Sequence, residues 1–203
     1  MQTICITGLD GSGKSTQAKL LASRLPNSRI VSVWDIISKA EFQPWTIYKK
    51  TLNVEKYVMN LYPTTRSLFI FHAFNEAYQR ALNSEVDFLI FDSHWYKYWA
   101  VEQAMDAPVL LGEFFKQQYP ASNLTFYLQL SLQNQMKRKT KLSLYESGHN
   151  EKENLDNFAR IQSEAKPILE SLLPNNTIYL PGKNEMESLS NEIYGTVARK
   201  FGL

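Results

Sequence analysis

Apolar and polar positions along this chain fall into two alternating kinds of block. Short apolar runs rich in β-branched and aromatic residues recur at Thr3–Thr7, Arg29–Trp34, Asp87–Phe91, Leu124–Leu130 and Thr177–Leu180. They show little period-two alternation, which is the pattern of a strand covered on both faces. Longer stretches with a helical apolar face lie between them. These are Lys14–Leu25 (stopped by Pro26), Pro63–Leu82, Trp95–Met105, Val109–Gln118, Glu151–Leu173 (stopped by Pro174) and Met186–Phe201. Pro63-Thr64-Thr65-Arg66 reads as a helix start, and Asp106-Ala107-Pro108 divides two helices. The stretch Asp35–Tyr62 is irregular, with scattered Trp and Tyr, and is predicted to be mostly helical. Strand alternating with helix predicts an α/β fold, a three-layer sandwich around a five-stranded parallel sheet. In such a sheet the loop at Gly8 and the residue Asp92 share the carboxyl edge, where ligands bind.

Composition narrows the class without naming a substrate. A chain of 203 residues suits one domain, taken as 1–203. A formal net charge of +2 argues against a basic coat, so no nucleic-acid polymer is expected as partner. No apolar run reaches the ~18 residues of a membrane span, so no membrane is expected either. The opening Met1-Gln2-Thr3-Ile4 lacks the basic and apolar regions of a signal peptide. Cys5 is the one cysteine, which excludes an intrachain disulfide and suits a reducing, cytoplasmic compartment.

The chemistry is concentrated after the first strand. Gly8-Leu9-Asp10-Gly11-Ser12-Gly13-Lys14-Ser15 fits G-x-x-x-x-G-K-[ST] without a mismatch, between a predicted strand and a predicted helix. Glycines let the backbone aim several N–H groups at one anion, and the helix N-terminus adds its dipole. Lys14 is placed to reach the β and γ phosphates of ATP, the Ser15 hydroxyl to bind Mg²⁺, and Thr16 to donate on the α-phosphate side. Asp92, ending an apolar strand, is the second candidate for Mg²⁺, with a helix N-cap as the alternative role. No Asn-Lys-x-Asp motif of a GTPase is present.

The run Ile6-Thr7-Gly8-Leu9-Asp10-Gly11-Ser12-Gly13-Lys14-Ser15-Thr16-Gln17 resembles the opening of the thymidylate kinases, P-loop nucleoside monophosphate kinases. The resemblance implies sheet order 2-3-1-4-5, ATP and Mg²⁺ as donor and metal, a phosphorylated small-molecule acceptor, and a homodimer formed through helices flanking the third strand. It places Asp10 at the acceptor's sugar hydroxyl and the adenine near Pro181-Gly182-Lys183. It also implies a short basic lid, about residues 134–150, carrying Lys137-Arg138-Lys139-Thr140-Lys141. Family members hold the catalytic arginine in the P-loop or in the lid. Gly11 leaves this loop without one, so Arg138 is the candidate, with the neighbouring lysines as alternates and a solvated helix face as the plain reading.

The acceptor side departs from the family. Asp92-Ser93-His94 stands where Asp-Arg is usual, and Leu68-Phe69-Ile70-Phe71-His72-Ala73 lacks the arginine that follows the base-stacking Phe. Ala100-Val101-Glu102 replaces Ala-Tyr-Gln, and Trp34-Asp35 lacks its arginine. The acceptor candidates are therefore Asp10, Asp35, Phe69, Phe71 and His94. Arg66, Lys97 and His72 are further candidate cations for the missing arginines. Phe71, Phe74 and the aromatic helix after Asp92 are the candidate dimer surface. The expectation is a kinase converting dTMP to dTDP. The alternatives are a related kinase with another small-molecule acceptor, or a nucleotide-binding regulatory module with little catalysis.

Overall fold

A computed structural model describes residues 1–34, 54–149 and 152–203. Strand β1 (Gln2–Thr7) leads through a glycine loop into α1 (Lys14–Ala22), then β2 (Ser28–Val31). Next come α2 (Val54–Met59), α3 (Pro63–Leu82), β3 (Phe88–Asp92), α4 (Trp95–Gln103) and α5 (Leu110–Gln118). After β4 (Leu124–Gln129) follow α6 (Leu132–Arg138), α7 (Leu144–Ser147), α8 (Leu155–Leu172), β5 (Thr177–Pro181) and α9 (Met186–Phe201). The five strands are parallel in the order β2-β3-β1-β4-β5, as the resemblance implied. Ile6 pairs with Asp92, so the end of β3 lies beside the last turn of backbone before Gly8.

Successive side chains of β1 feed two separate cores, because a strand presents alternate residues to opposite faces. Ile4 and Ile6 join Ile90, Phe126 and Leu128 under Leu21 of α1 and Leu189 and Ile193 of α9. Cys5 joins Leu89, Phe91 and Tyr127 under Phe74 of α3, Tyr96 of α4 and Ile161 of α8. Both faces are covered, which is why the strands read as continuous apolar runs. No described helix is long and apolar enough to cross a membrane.

Local chemistry accounts for the element ends. Asn154 caps α8 through the Asn157 N–H at 2.9 Å, so the helix begins at Leu155 and not at Glu151. Ahead of Pro26, α1 ends at Ala22, and the Arg24 N–H reaches back only three residues, to Leu21 at 3.1 Å. The basic segment forms two short helices, α6 and α7. Ser143 and Glu146 make a reciprocal capping box at the start of α7. Of the irregular stretch Asp35–Tyr62, α2 is the described helical part; Asp35 itself lies outside the described residues.

One buried ion pair ties three of these helices together. Glu102 on α4 is fully buried, and its Oε2 accepts from Arg66 Nε at 3.0 Å and Ser67 Oγ at 2.9 Å, both on α3. Its Oε1 accepts from the Tyr145 hydroxyl of α7 at 2.8 Å. Burial raises the Glu102 carboxyl above its ordinary range, against the lowering pull of Arg66, Tyr145 and Ser67. Replacing Glu102 by Ala leaves Arg66 charged and buried without its counter-ion, so Glu102→Ala is expected to lose about 3–5 kcal/mol in urea unfolding. A loss below about 1 kcal/mol would mean that this pair does not hold α3, α4 and α7 together.

Candidate active site

The glycine loop folds because its side chains are missing where the chain turns most tightly. A Cβ on Gly8 would fall 2.6 Å from Ser12 Oγ and 2.9 Å from the Leu128 carbonyl, so only glycine lets the loop pass over β4. The loop then closes with the Ser12 N–H on the Leu9 carbonyl at 3.2 Å, and α1 starts at Lys14. Ser15 and Thr16 are exposed in its first turn.

Asp10 is the most heavily engaged residue of the loop. It is buried, and its Oδ1 lies 3.3 Å from Lys14 Nζ and 3.1 Å from Lys97 Nζ. Gln162 on α8 grips the same residue from the other side. Its Oε1 accepts the Asp10 N–H at 3.0 Å and its Nε2 donates to Oδ2 at 3.3 Å. Burial alone would raise the Asp10 carboxyl, but the ammonium groups of Lys97 and Lys14 outweigh it and hold Asp10 ionised, well below the usual carboxylate range. For Lys14, burial would lower the ammonium pKa; the charges of Asp10 and Asp92 outweigh this and raise it.

A cavity of about 210 Å³ opens beside the loop, lined by Ser12, Gly13, Thr16, Arg138, Gly182 and Asn184. It joins the phosphate loop to the turn after β5. Ser12 Oγ in its lining, and Asp92 Oδ1 at the end of β3, are buried with no hydrogen-bond partner among the described residues. The Ser15 hydroxyl and the Asp92 carboxylate are oxygen donors of the kind Mg²⁺ takes. A larger cleft, about 440 Å³ between Trp95, Lys116, Tyr119 and Pro174, touches none of the loop residues.

Helix α6, in the segment expected to form a lid, meets the loop at Gly11. Arg138 Nη1 points at the Gly11 carbonyl at 3.5 Å, the edge of hydrogen-bond range. Gly11 has φ +81°, and a Cβ there would lie 3.4 Å from both Cα and the carbonyl oxygen of Gln135 in α6. The positive φ opposes a side chain at this position, and a Cβ there would be in ordinary contact with α6. Lys137 and Lys141 are exposed, whereas Lys139 is held by Glu146 of α7.

Two acceptor candidates need correction. His94 is 1% exposed, with its ring stacked 5.1 Å from Tyr96 and edge-on to Phe74 and Phe91. Burial pushes its pKa down to about 3, so it is neutral and cannot serve as a phosphate cation at neutral pH. Phe71 stacks on Phe115 of α5 and is 3% exposed, so its ring face is taken by that neighbour. Phe74 is likewise in the core, so neither aromatic is available to a dimer surface. Phe69 is half-buried, edge-on to Tyr57 of α2 at 6.0 Å, and remains the candidate stacking platform. Arg66, a suggested compensator, is occupied by Glu102 and by the Met105 carbonyl at 2.7 Å.

Gln162 was not foreseen. The available signal was a polar residue on the apolar face of a helix, beside Phe158, Ile161, Ala165 and Leu169, all of them buried. For His94 the linkage sign is definite. The unfolded chain takes up a proton below the free value of 6.5, which the folded chain refuses until about 3. Stability present above that free value is therefore lost as pH falls toward the folded one, by up to about 1.4 kcal/mol per pH unit. His94→Phe should flatten this part of the acid limb in urea unfolding at about pH 7 against about pH 4.5. An acid limb unchanged from wild type would mean that His94 titrates in the fold as it does in water.

The family model for thymidylate kinase matches residues 6–193 of the chain. None of the curated proteins matches it in sequence. Among solved structures, thymidylate kinase from Candida albicans superposes with TM-score 0.73 at 19% identity, covering 98% of this chain and 92% of that one. Deoxyadenosine kinase from M. mycoides, with products dCMP and dCDP bound, superposes with TM-score 0.66 at 15% identity, covering 98% and 100%. At such identities the structures speak for the fold alone. The sequence match spans nearly the whole chain, from the strand before the loop into the last helix, and this chain belongs to the thymidylate kinase family of ATP-dependent phosphotransferases.

Proposed function

We propose that the protein transfers the γ-phosphoryl group of ATP to a (deoxy)nucleoside monophosphate, with dTMP as the first acceptor to test. The observation carrying this reading is the convergence on Asp10. A loop carboxylate is kept ionised between the donor-side Lys14 and a second ammonium on α4, next to a lid arginine on Gly11.

In this reading Lys14 exchanges Asp10 for the donor phosphates, and the loop N–H groups cradle them. Ser15 and Asp92 hold Mg²⁺, which supplies neutralisation of phosphate charge when bound. Asp10 stays ionised and accepts a hydrogen bond from a sugar hydroxyl of the acceptor, while Phe69 stacks on its base. Arg138 donates to the oxygens of the group in flight. An acceptor phosphate oxygen attacks the γ-phosphorus, the bond to the bridging oxygen breaks, and ADP leaves. The contribution of the protein is positioning and charge, without a covalent intermediate.

A panel of nucleoside monophosphates with ATP and Mg²⁺ tests the reading. Turnover of at least one monophosphate, lost in Lys14→Ala, is the expected result; no turnover of any of them overturns it. Arg138→Met should lower kcat by about 10²–10³-fold with little change in acceptor KM. A variant within about threefold of wild-type kcat would move the cationic role to another residue.

A homodimer belongs to the same proposal. Exposed Leu68 on α3 and Leu110 and Phe114 on α5 form the apolar surface on which it would build. Sedimentation equilibrium is expected to show a dimer that Phe114→Glu dissociates; a monomer at every concentration would remove this part.

A further inference from the structure

The charge balance beneath the loop identifies a residue that could select a phosphorylated acceptor. An ammonium taken out of water requires a full counter-charge or an anionic ligand. Lys97 is buried, yet among the described residues its only salt-bridge partner is Asp10, whose Oδ1 also serves Lys14 and whose Oδ2 also accepts from Gln162. The other carboxylate at this edge, Asp92, bears on Lys14. Once a donor phosphate takes Lys14, Lys97 of α4 is the remaining buried ammonium at Asp10.

Its place in the chain adds a second observation. Ser93, directly after Asp92, is 2% exposed, has φ +73°, and buries an Oγ that finds no hydrogen-bond partner. This bend carries no cation of its own. Lys97 lies one helical turn further along α4, and its ammonium reaches back to the loop. Arg66 is engaged by Glu102, and His94 is neutral in the aromatic core, so neither takes this part.

We propose that Lys97 is the residue that holds the acceptor's phosphate and makes the enzyme select a nucleoside monophosphate over the bare nucleoside. The Asp10 carboxylate then lies between a donor-side and an acceptor-side ammonium, and the two phosphates meet in the gap that these two cations flank. This rests on the nucleoside monophosphate reading given above.

The test compares ligands with and without the phosphate. Titration calorimetry in the presence of a non-hydrolysable ATP analogue and Mg²⁺ gives Kd for the monophosphate that wild type turns over fastest, and for its parent nucleoside. Wild type is expected to favour the monophosphate by about tenfold or more, and Lys97→Met to reduce that ratio by about tenfold or more. Nucleoside affinity should stay within about threefold, which a merely structural loss would not allow. Lys97→Arg should retain more of the ratio than Lys97→Met. Lys97→Gln serves in place of Lys97→Met should the latter lack a cooperative thermal transition. A ratio unchanged in the uncharged variant overturns the role of Lys97 while leaving the monophosphate reading intact. A wild-type enzyme that turns over no monophosphate overturns that reading instead.

Discussion

A carboxylate buried in the phosphate loop sets the terms for the surrounding structure. Asp10 is ionised in a place where burial favours the neutral acid, and it stays so because two ammonium groups and an amide converge on it. Those groups come from α1, α4 and α8, three helices that the sheet brings to one edge. Removing any one partner leaves charge or polarity stranded where water does not reach, and this constrains how those helices pack. The loop conformation and the helical arrangement are thus a single electrostatic problem with one shared solution.

Helix α4 links that solution to the lid. It carries Lys97 to Asp10 and Glu102 to Tyr145 of α7, while Arg66 of α3 supports Glu102 from behind. Glu146 of α7 caps its own helix and holds Lys139, and Glu55 of α2 accepts the Leu144 N–H at 3.0 Å. The basic segment is therefore not a loose charged strand. Carboxylates hold Lys139 and the N–H groups of Leu142, Ser143 and Leu144, while Arg138 lines the cavity beside the phosphate loop.

The parts legible in the sequence are those whose physics is local. The β1 run, the glycine spacing and Lys14 lie within a few residues of one another and read directly. Pro63 marks the start of α3, and the apolar faces of α3 and α9 mark their lengths. The convergence on Asp10 is different, because it joins residues 87 and 152 positions apart along the chain. Nothing in the neighbourhood of Lys97 or Gln162 announces a partner at the other end of the fold. His94 misleads for a related reason. Its position after Asp92 suggests chemistry, but the aromatic rings that enclose it come from α3, β3 and α4, and their packing keeps it neutral. The departures from the family at Ser93 and Glu102 are visible in the sequence, and Lys97 is visible as a candidate cation, but the burial that pairs Lys97 with Asp10 and Glu102 with Arg66 is not.

The bare backbone at Gly11 has a kinetic consequence. An enzyme with its arginine rooted in the loop carries the catalytic cation at all times, whether or not the nucleotide is covered. Here a side chain at position 11 would meet α6, and the arginine rides on α6 itself. On the proposed assignment, full catalytic power exists only while that helix is docked, and the docked helix also covers the nucleotide. Wasteful hydrolysis of ATP by solvent and productive transfer are then separated by timing rather than by the strength of any single contact.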